Sequence, residues 1–182
     1  GAEGERNSQG QFTETDPALV LTSRDGLRWT HVPQRASGPV TGISHGAGRF
    51  VALTTSGSAL VSEDGDSWRT VVTLAPTFWY EPELVAVAHD GNRFVATQSA
   101  RFGTMDQLWT SPDGLNWSST QVSGLNYAYN YTGLVYGPSG WVAVGELADD
   151  RFTTWLTVGT IIHSRDGQDW SSVDNGPVEW TG

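Results

Sequence analysis

Ser23-Arg24-Asp25-Gly26-Leu27-Arg28-Trp29 decides how this chain folds, because the pattern returns three times. The copies are Ser62-Glu63-Asp64-Gly65-Asp66-Ser67-Trp68, Ser111-Pro112-Asp113-Gly114-Leu115-Asn116-Trp117 and Ser164-Arg165-Asp166-Gly167-Gln168-Asp169-Trp170. Ser, Asp, Gly and Trp keep their places each time, at steps of 39, 49 and 53 residues. Asp-Gly sets a residue that tolerates positive φ before one that favours it, which is the chemistry of a tight hairpin turn. The Ser hydroxyl and the Asp carboxylate can bond backbone N–H groups that such a turn leaves unpaired. Trp then enters the next strand as a large apolar anchor, so all four Trp residues are expected to be largely buried.

Two residues before each Ser stands a large apolar residue, Leu21, Leu60, Trp109 or Ile162, at the end of a strand. A short strand follows each turn, over 29–32, 68–72, 117–122 and 170–173. Earlier in the units come Gly48-Arg49-Phe50-Val51-Ala52, Asn92-Arg93-Phe94-Val95-Ala96 and Gly140-Trp141-Val142-Ala143-Val144, each a small turn followed by an aromatic and β-formers. Every unit reads as a four-strand meander, and helical periodicity is absent. The steps match or slightly exceed the roughly 40–50 residues of a propeller blade. The fold class is therefore all-β, a β-propeller of four-stranded antiparallel blades, with about four blades in this single domain of residues 1–182.

Blade 2 covers about 39–74, blade 3 about 83–122 and blade 4 about 131–173. Blade 1 covers about 10–33 and lacks an innermost strand. The C-terminal Gly176-Pro177-Val178-Glu179-Trp180-Thr181-Gly182 is similar to Gly38-Pro39-Val40-Thr41-Gly42, which opens blade 2. Residues 177–182 could thus complete blade 1 beside residues 10–16 and hide both sheet edges. The alternatives are a symmetric dimer of two such chains, or further blades in a longer parent. The sequence opens on Gly1 rather than methionine, so its start is treated as arbitrary.

A net charge of −10 and a pI near 4.6 argue against a nucleic-acid binder, which needs clustered positive charge to displace counterions. All ten cationic side chains are Arg, which removes lysine Schiff-base and phosphate-loop chemistry. With no Cys, disulfides, thiolate catalysis and thiolate zinc sites are also removed. The apolar runs are too short to span a bilayer. His31, His45, His89 and His163 are scattered one per unit, and His45 and His89 share a place before the first turn of their units, which reads as turn chemistry. Asp149-Asp150 lacks the spaced partners of a calcium loop. Neither a metal nor a cofactor is expected.

The four turns resemble the Asp-box, or BNR-type, repeat found in sialidase-like propellers, sortilin-type receptors, certain xyloglucan hydrolases and the photosystem II assembly factor family. The resemblance covers the turns and their flanking strands, and departs from the commonest spelling because Gly follows Asp directly. It implies that Ser23, Asp25, Gly26, Trp29 and their counterparts at Ser62, Asp64, Gly65, Trp68, at Ser111, Asp113, Gly114, Trp117 and at Ser164, Asp166, Gly167, Trp170 are structural. It also implies an extracytoplasmic protein.

In a meander, successive connections alternate between the two ends of the blade. The Ser-x-Asp-Gly turns fall at one end. The insertions fall at the other, at 76–82, 100–106, 126–131 and 149–155. They are rich in aromatics, which suit protein or glycan contacts. Trp79, Tyr80, Tyr129 and Trp155 are the candidate ligand contacts, with Arg101 and Arg151 for an anionic group. The expected function is non-catalytic binding or scaffolding of a protein or glycan through this end. Sialidase-like glycoside hydrolysis is the alternative, since Arg, Tyr and carboxylates gather there, but the Arg-Ile-Pro signature of that family is missing. A purely structural or assembly role is the third reading.

Overall fold

The computed structural model describes residues 20–32, 38–74, 83–99, 107–121, 128–149 and 156–173. Strands β1 (Val20–Thr22) and β2 (Thr30–Val32) pair across the first Ser-x-Asp-Gly turn. Strands β3 (Val40–Gly46), β4 (Arg49–Thr54), β5 (Ser58–Ser62) and β6 (Arg69–Thr73) form an antiparallel meander in chain order. The pattern repeats in β7 (Glu83–His89), β8 (Phe94–Ser99), β9 (Gln107–Ser111) and β10 (Ser118–Gln121). It repeats again in β11 (Ala128–Gly137), β12 (Gly140–Asp149), β13 (Leu156–Ser164) and β14 (Trp170–Ser172). A single pairing, Asn130 with Ser99, joins the last two meanders into one eight-stranded sheet. In every complete unit the Ser-x-Asp-Gly turn links the third strand to the fourth, and β1–β2 is the corresponding pair of the first unit.

Strand alternation gives each blade two different faces. One carries the Trp that ends the turn motif and is called the Trp face; the other is called the valine face. Val51, Leu53, Ala59 and Val61, on the valine face of blade 2, pack against Phe94, Ala96, Trp109 and Trp117 on the Trp face of blade 3. Val95 and Leu108, on the valine face of blade 3, pack against Trp141, Ala143, Ile162 and Trp170 of blade 4. The core is thus a stack of repeated face-to-face contacts. Burying one Val, Leu or Phe in such a contact stabilises the fold by roughly 1.5–3 kcal/mol.

The first strands of consecutive blades lie side by side, β3 next to β7 and β7 next to β11, as innermost strands of a propeller do. Each carries a bulge at the same place, between Val40 and Gly42, Leu84 and Ala86, and Tyr131 and Gly133. The extra residue is Thr41, Val85 or Thr132, and both threonine hydroxyls donate to a carbonyl of the next strand, at Leu53 and Val144. The residue after the bulge is small for a reason of space. A Cβ on Gly42 would stand 3.3 Å from the Ala86 Cα and from the Val85 carbonyl oxygen.

One expectation about the tryptophans needs correction. Trp170 is 3% exposed, and Trp68 and Trp117 are half-buried, but Trp29 is 60% exposed. The Trp face of each later blade has a preceding blade against it, and among the described residues the first unit has none. Leu21 is 46% exposed for the same reason, whereas its counterparts Leu60 and Ile162 are buried. The proposed pairing of residues 177–182 with 10–16 lies outside the described residues.

Candidate functional site

At the turn end, the Ser hydroxyl and the Asp carboxylate build the same cage four times. Ser62 Oγ accepts from the Gly65 N–H at 2.8 Å and donates to Asp64 Oδ1 at 3.0 Å, and Asp64 Oδ1 also accepts from the N–H groups of Asp66 and Ser67. Ser23 with Asp25, Ser111 with Asp113 and Ser164 with Asp166 repeat these bonds. The motif glycines take the left-handed backbone that Gly alone adopts freely, with φ of 72° at Gly26 and 80° at Gly65. The indole N–H closes the turn by donating to the Gly carbonyl, at 2.8 Å from Trp68, 3.0 Å from Trp117 and 3.3 Å from Trp29.

The fourth unit departs from this. Its second strand carries Trp141 where blades 2 and 3 carry Phe50 and Phe94, and the larger ring fills the space beneath Gly167. Trp170 is drawn into the core, β14 starts at Trp170 itself, and neither indole N–H has a partner.

Donors aimed at a carboxylate favour its charged form. The N–H groups of Arg28 and Leu27, then the Ser23 hydroxyl, hold Asp25 below the usual carboxylate range, and those of Ser67 and Asp66 hold Asp64 at about 2. Burial pushes Asp113 up, but the bonds from Asn116 and Leu115 outweigh it and leave Asp113 at about 2. The N–H groups of Asp169 and Gln168 lower Asp166. Carboxylates held in this way stay ionised near neutral pH as hydrogen-bond acceptors and are poorly suited to proton transfer there. Among the described residues no three His, Asp or Glu side chains are grouped to hold a metal ion, and no helix is long and apolar enough to cross a membrane.

His89 fulfils the turn role expected of it: its Nδ1 accepts from the Gly91 N–H at 3.0 Å, and its ring packs at a tilt against Phe94 and lies over Gly46. Burial lowers its pKa, with His45 adding to the effect and Asp90 opposing it.

At the opposite end, only the Thr54–Ser58 connection is a tight described turn, closed by the Thr54 hydroxyl and the Ser58 N–H. The chain leaves this end at Leu74, Ser99, Gln121 and Asp149 and re-enters at Glu83, Gln107, Ala128 and Leu156. Trp79, Tyr80, Arg101, Arg151 and Trp155 lie outside the described residues. Tyr129 was expected on a loop, but β11 extends to Ala128, so the Tyr129 backbone is in a strand opposite Leu147. Tyr131, from the same aromatic stretch, is 1% exposed and belongs to the core. The long β11–β13 hairpins carry blade 4 further in this direction than the other blades.

The fold is similar to that of a solved structure. A structure of YCF48 bound to a D1 peptide has a TM-score of 0.53 and 18% identity, with 81% of this chain and 43% of that chain covered. This chain is built of β-propeller blades. It spans less than half the length of that YCF48 chain. Two weaker likenesses are a Bombyx mori GH32 beta-fructofuranosidase in complex with sucrose, at TM-score 0.45, 15% identity and coverage of 73% and 35%, and YCF48 from Cyanidioschyzon merolae, at TM-score 0.37, 12% identity and coverage of 86% and 66%. The fold rests on the first of these. No protein-family model and no curated protein matches the chain.

Proposed function

We propose that this chain is a non-catalytic Asp-box propeller scaffold that binds a protein ligand, through a peptide segment, at the end of the blades opposite the Ser-x-Asp-Gly turns. The observation that carries the reading is the division of labour between the two ends. At the turn end every motif carboxylate is occupied by backbone N–H groups, which leaves that end a structural clamp. The long connections leave and re-enter at the other end, between Leu74 and Glu83, Ser99 and Gln107, and Asp149 and Leu156, and their sequence is rich in aromatics. The YCF48 structure shows a related fold taking a peptide, which favours a protein over a glycan. Trp79, Tyr80, Tyr129 and Trp155 are assigned as contacts, and Arg101 and Arg151 as partners of an anionic group. The extracytoplasmic setting belongs to the same proposal.

The test is a random-peptide display selection on the purified chain, run beside a glycan array and a panel of fluorogenic glycosides. Enriched peptides should bind the wild type and not Trp79→Ala/Trp155→Ala, with the melting temperature nearly unchanged. Glycan capture without peptide binding would replace the ligand class, and glycoside turnover would overturn the non-catalytic reading. Unfolding of the double variant would show that these rings hold the loops together.

A further inference from the structure

The two ends of the blade stack expose opposite halves of one contact. On blade 4, Val135, Val142, Val144, Ile161 and Val173 all lie on the valine face, by the pairing of Val135 with Val142 and the bond from the Val173 N–H to the Ile161 carbonyl. They are 37–59% exposed. Their counterparts on blade 2, Val51, Leu53, Ala59 and Val61, are at most 4% exposed beneath blade 3. At the other end Leu21 and Trp29 lie open on the Trp face of the first unit, in places that Ile162 and Trp170 bury in blade 4.

The motif glycines report the same vacancy. A Cβ on Gly114 would meet Val51 Cγ2 at 2.6 Å and one on Gly167 would meet Val95 Cγ2 at 3.0 Å, each on the valine face of the preceding blade. One on Gly26 would meet nothing within 4 Å, and Val142, the residue in the register of Val51 and Val95, is 37% exposed. Five aligned aliphatic side chains on one face are a patch that water disfavours. The surface that complements them is present in the chain itself, because the same contact is made twice inside it.

We propose that the valine face of blade 4 docks on the Trp face of the first unit of a second copy, continuing the blade stack from one chain into the next. Two such contacts related by a twofold axis close a ring of two chains. The contact is head-to-tail: Trp29 of one copy meets the Val142 and Val144 region of the other, and like faces never meet. The second copy is favoured over closure within one chain because, among the described residues, both faces are open together.

Sedimentation equilibrium and light scattering across a concentration series test this first. The expected particle has twice the 19.7 kDa mass of one chain. Trp29→Glu and Val144→Glu should each weaken self-association by at least about 30-fold, the size of one lost hot-spot side chain. Both positions are exposed, so melting temperatures at high dilution should stay within about 4 °C of wild type, the Trp29 variant losing only the exposed indole bond to the Gly26 carbonyl. If either variant misfolds, Leu21→Glu and Ile161→Glu probe the same faces. Mixing the two variants should restore a one-to-one dimer, since one of its two contacts is then wild type on both sides. A single-chain mass at all concentrations overturns the proposal, as does dimerisation that survives both substitutions or a mixture that fails to associate. The chain has no Cys, so Trp29→Cys/Val142→Cys with a short bismaleimide gives a clean final reading. Cross-linked pairs of chains support the second copy, and a cross-link within one chain replaces it with self-closure.

Discussion

Ser62→Ala and Ser23→Ala remove the same two bonds from two copies of the same turn, and they should not cost the same. Ser62 Oγ is the acceptor for the Gly65 N–H at 2.8 Å, and both residues are buried. Without the hydroxyl that N–H has no partner and little access to water, which costs about 1–3 kcal/mol. For a chain of this size each kcal/mol moves the melting temperature by about 2–4 °C. Ser62→Ala should therefore lower it by roughly 4–8 °C for a central value of about 2 kcal/mol. Ser23 Oγ accepts from the Gly26 N–H at the same 2.8 Å, but Gly26 is exposed and water can replace the hydroxyl, so the loss should stay within about 0.5 kcal/mol. Thermal unfolding followed by tryptophan fluorescence, at a concentration where the chain is monomeric, separates the two. Equal losses would refute the argument that neighbouring blades, and not the turn alone, set the value of the motif.

Acid should act in two steps. Burial holds the folded pKa of His89 below its unfolded value of 6.5, so its contribution is full above pH 6.5 and is lost as pH falls through 6.5 toward the lowered value. The urea midpoint should fall between pH 7 and pH 5 in the wild type but not in His89→Asn, and a flat wild-type profile there would contradict the assignment. Asp25, Asp64, Asp113 and Asp166 are depressed below 3.8, so their contribution is present above about pH 4 and is lost as pH falls toward 2. Trp170→Ala should cost about 3–5 kcal/mol as a large core deletion, while Trp29→Ala in the monomeric chain should cost less than about 1 kcal/mol; urea titrations that reverse this order would contradict the burial difference.

The turn motif was readable because its chemistry is local: Ser, Asp and Gly satisfy one another within a few residues, and the pattern states its geometry wherever it occurs. The blade order and the two ends followed from strand parity in the same way. What escaped was set by neighbours. The bulges at Thr41, Val85 and Thr132 carry no turn residue, and they exist where one innermost strand approaches the next, which only the small Gly42, Ala86 and Gly133 hint at. Trp29 looks like Trp170 in the sequence, and its exposure depends on which blade stands before it. Tyr129 and Tyr131 read as one aromatic loop, whereas the β11–β12 ladder takes both into a strand and buries Tyr131. The contrast between Trp141 and Phe94 was visible, but that the Trp141 ring lies beneath Gly167 depends on how the turn folds back over the second strand.

A double-mutant cycle between Val51 and Gly114 is the most direct test of face-to-face blade stacking. Gly114→Ala should cost about 1–2 kcal/mol for placing Ala in left-handed backbone, plus about 1–3 kcal/mol for overpacking, because the new Cβ would stand 2.6 Å from Val51 Cγ2. Gly48→Ala controls for the backbone alone, since Gly48 has φ of 75° and nothing within 4 Å of a Cβ. If blade 3 sits on blade 2 through these residues, the overpacking cost should disappear in a Val51→Ala background, leaving Gly114→Ala as mild as Gly48→Ala. Costs that simply add would mean that Val51 and Gly114 do not touch, and would contradict the stack.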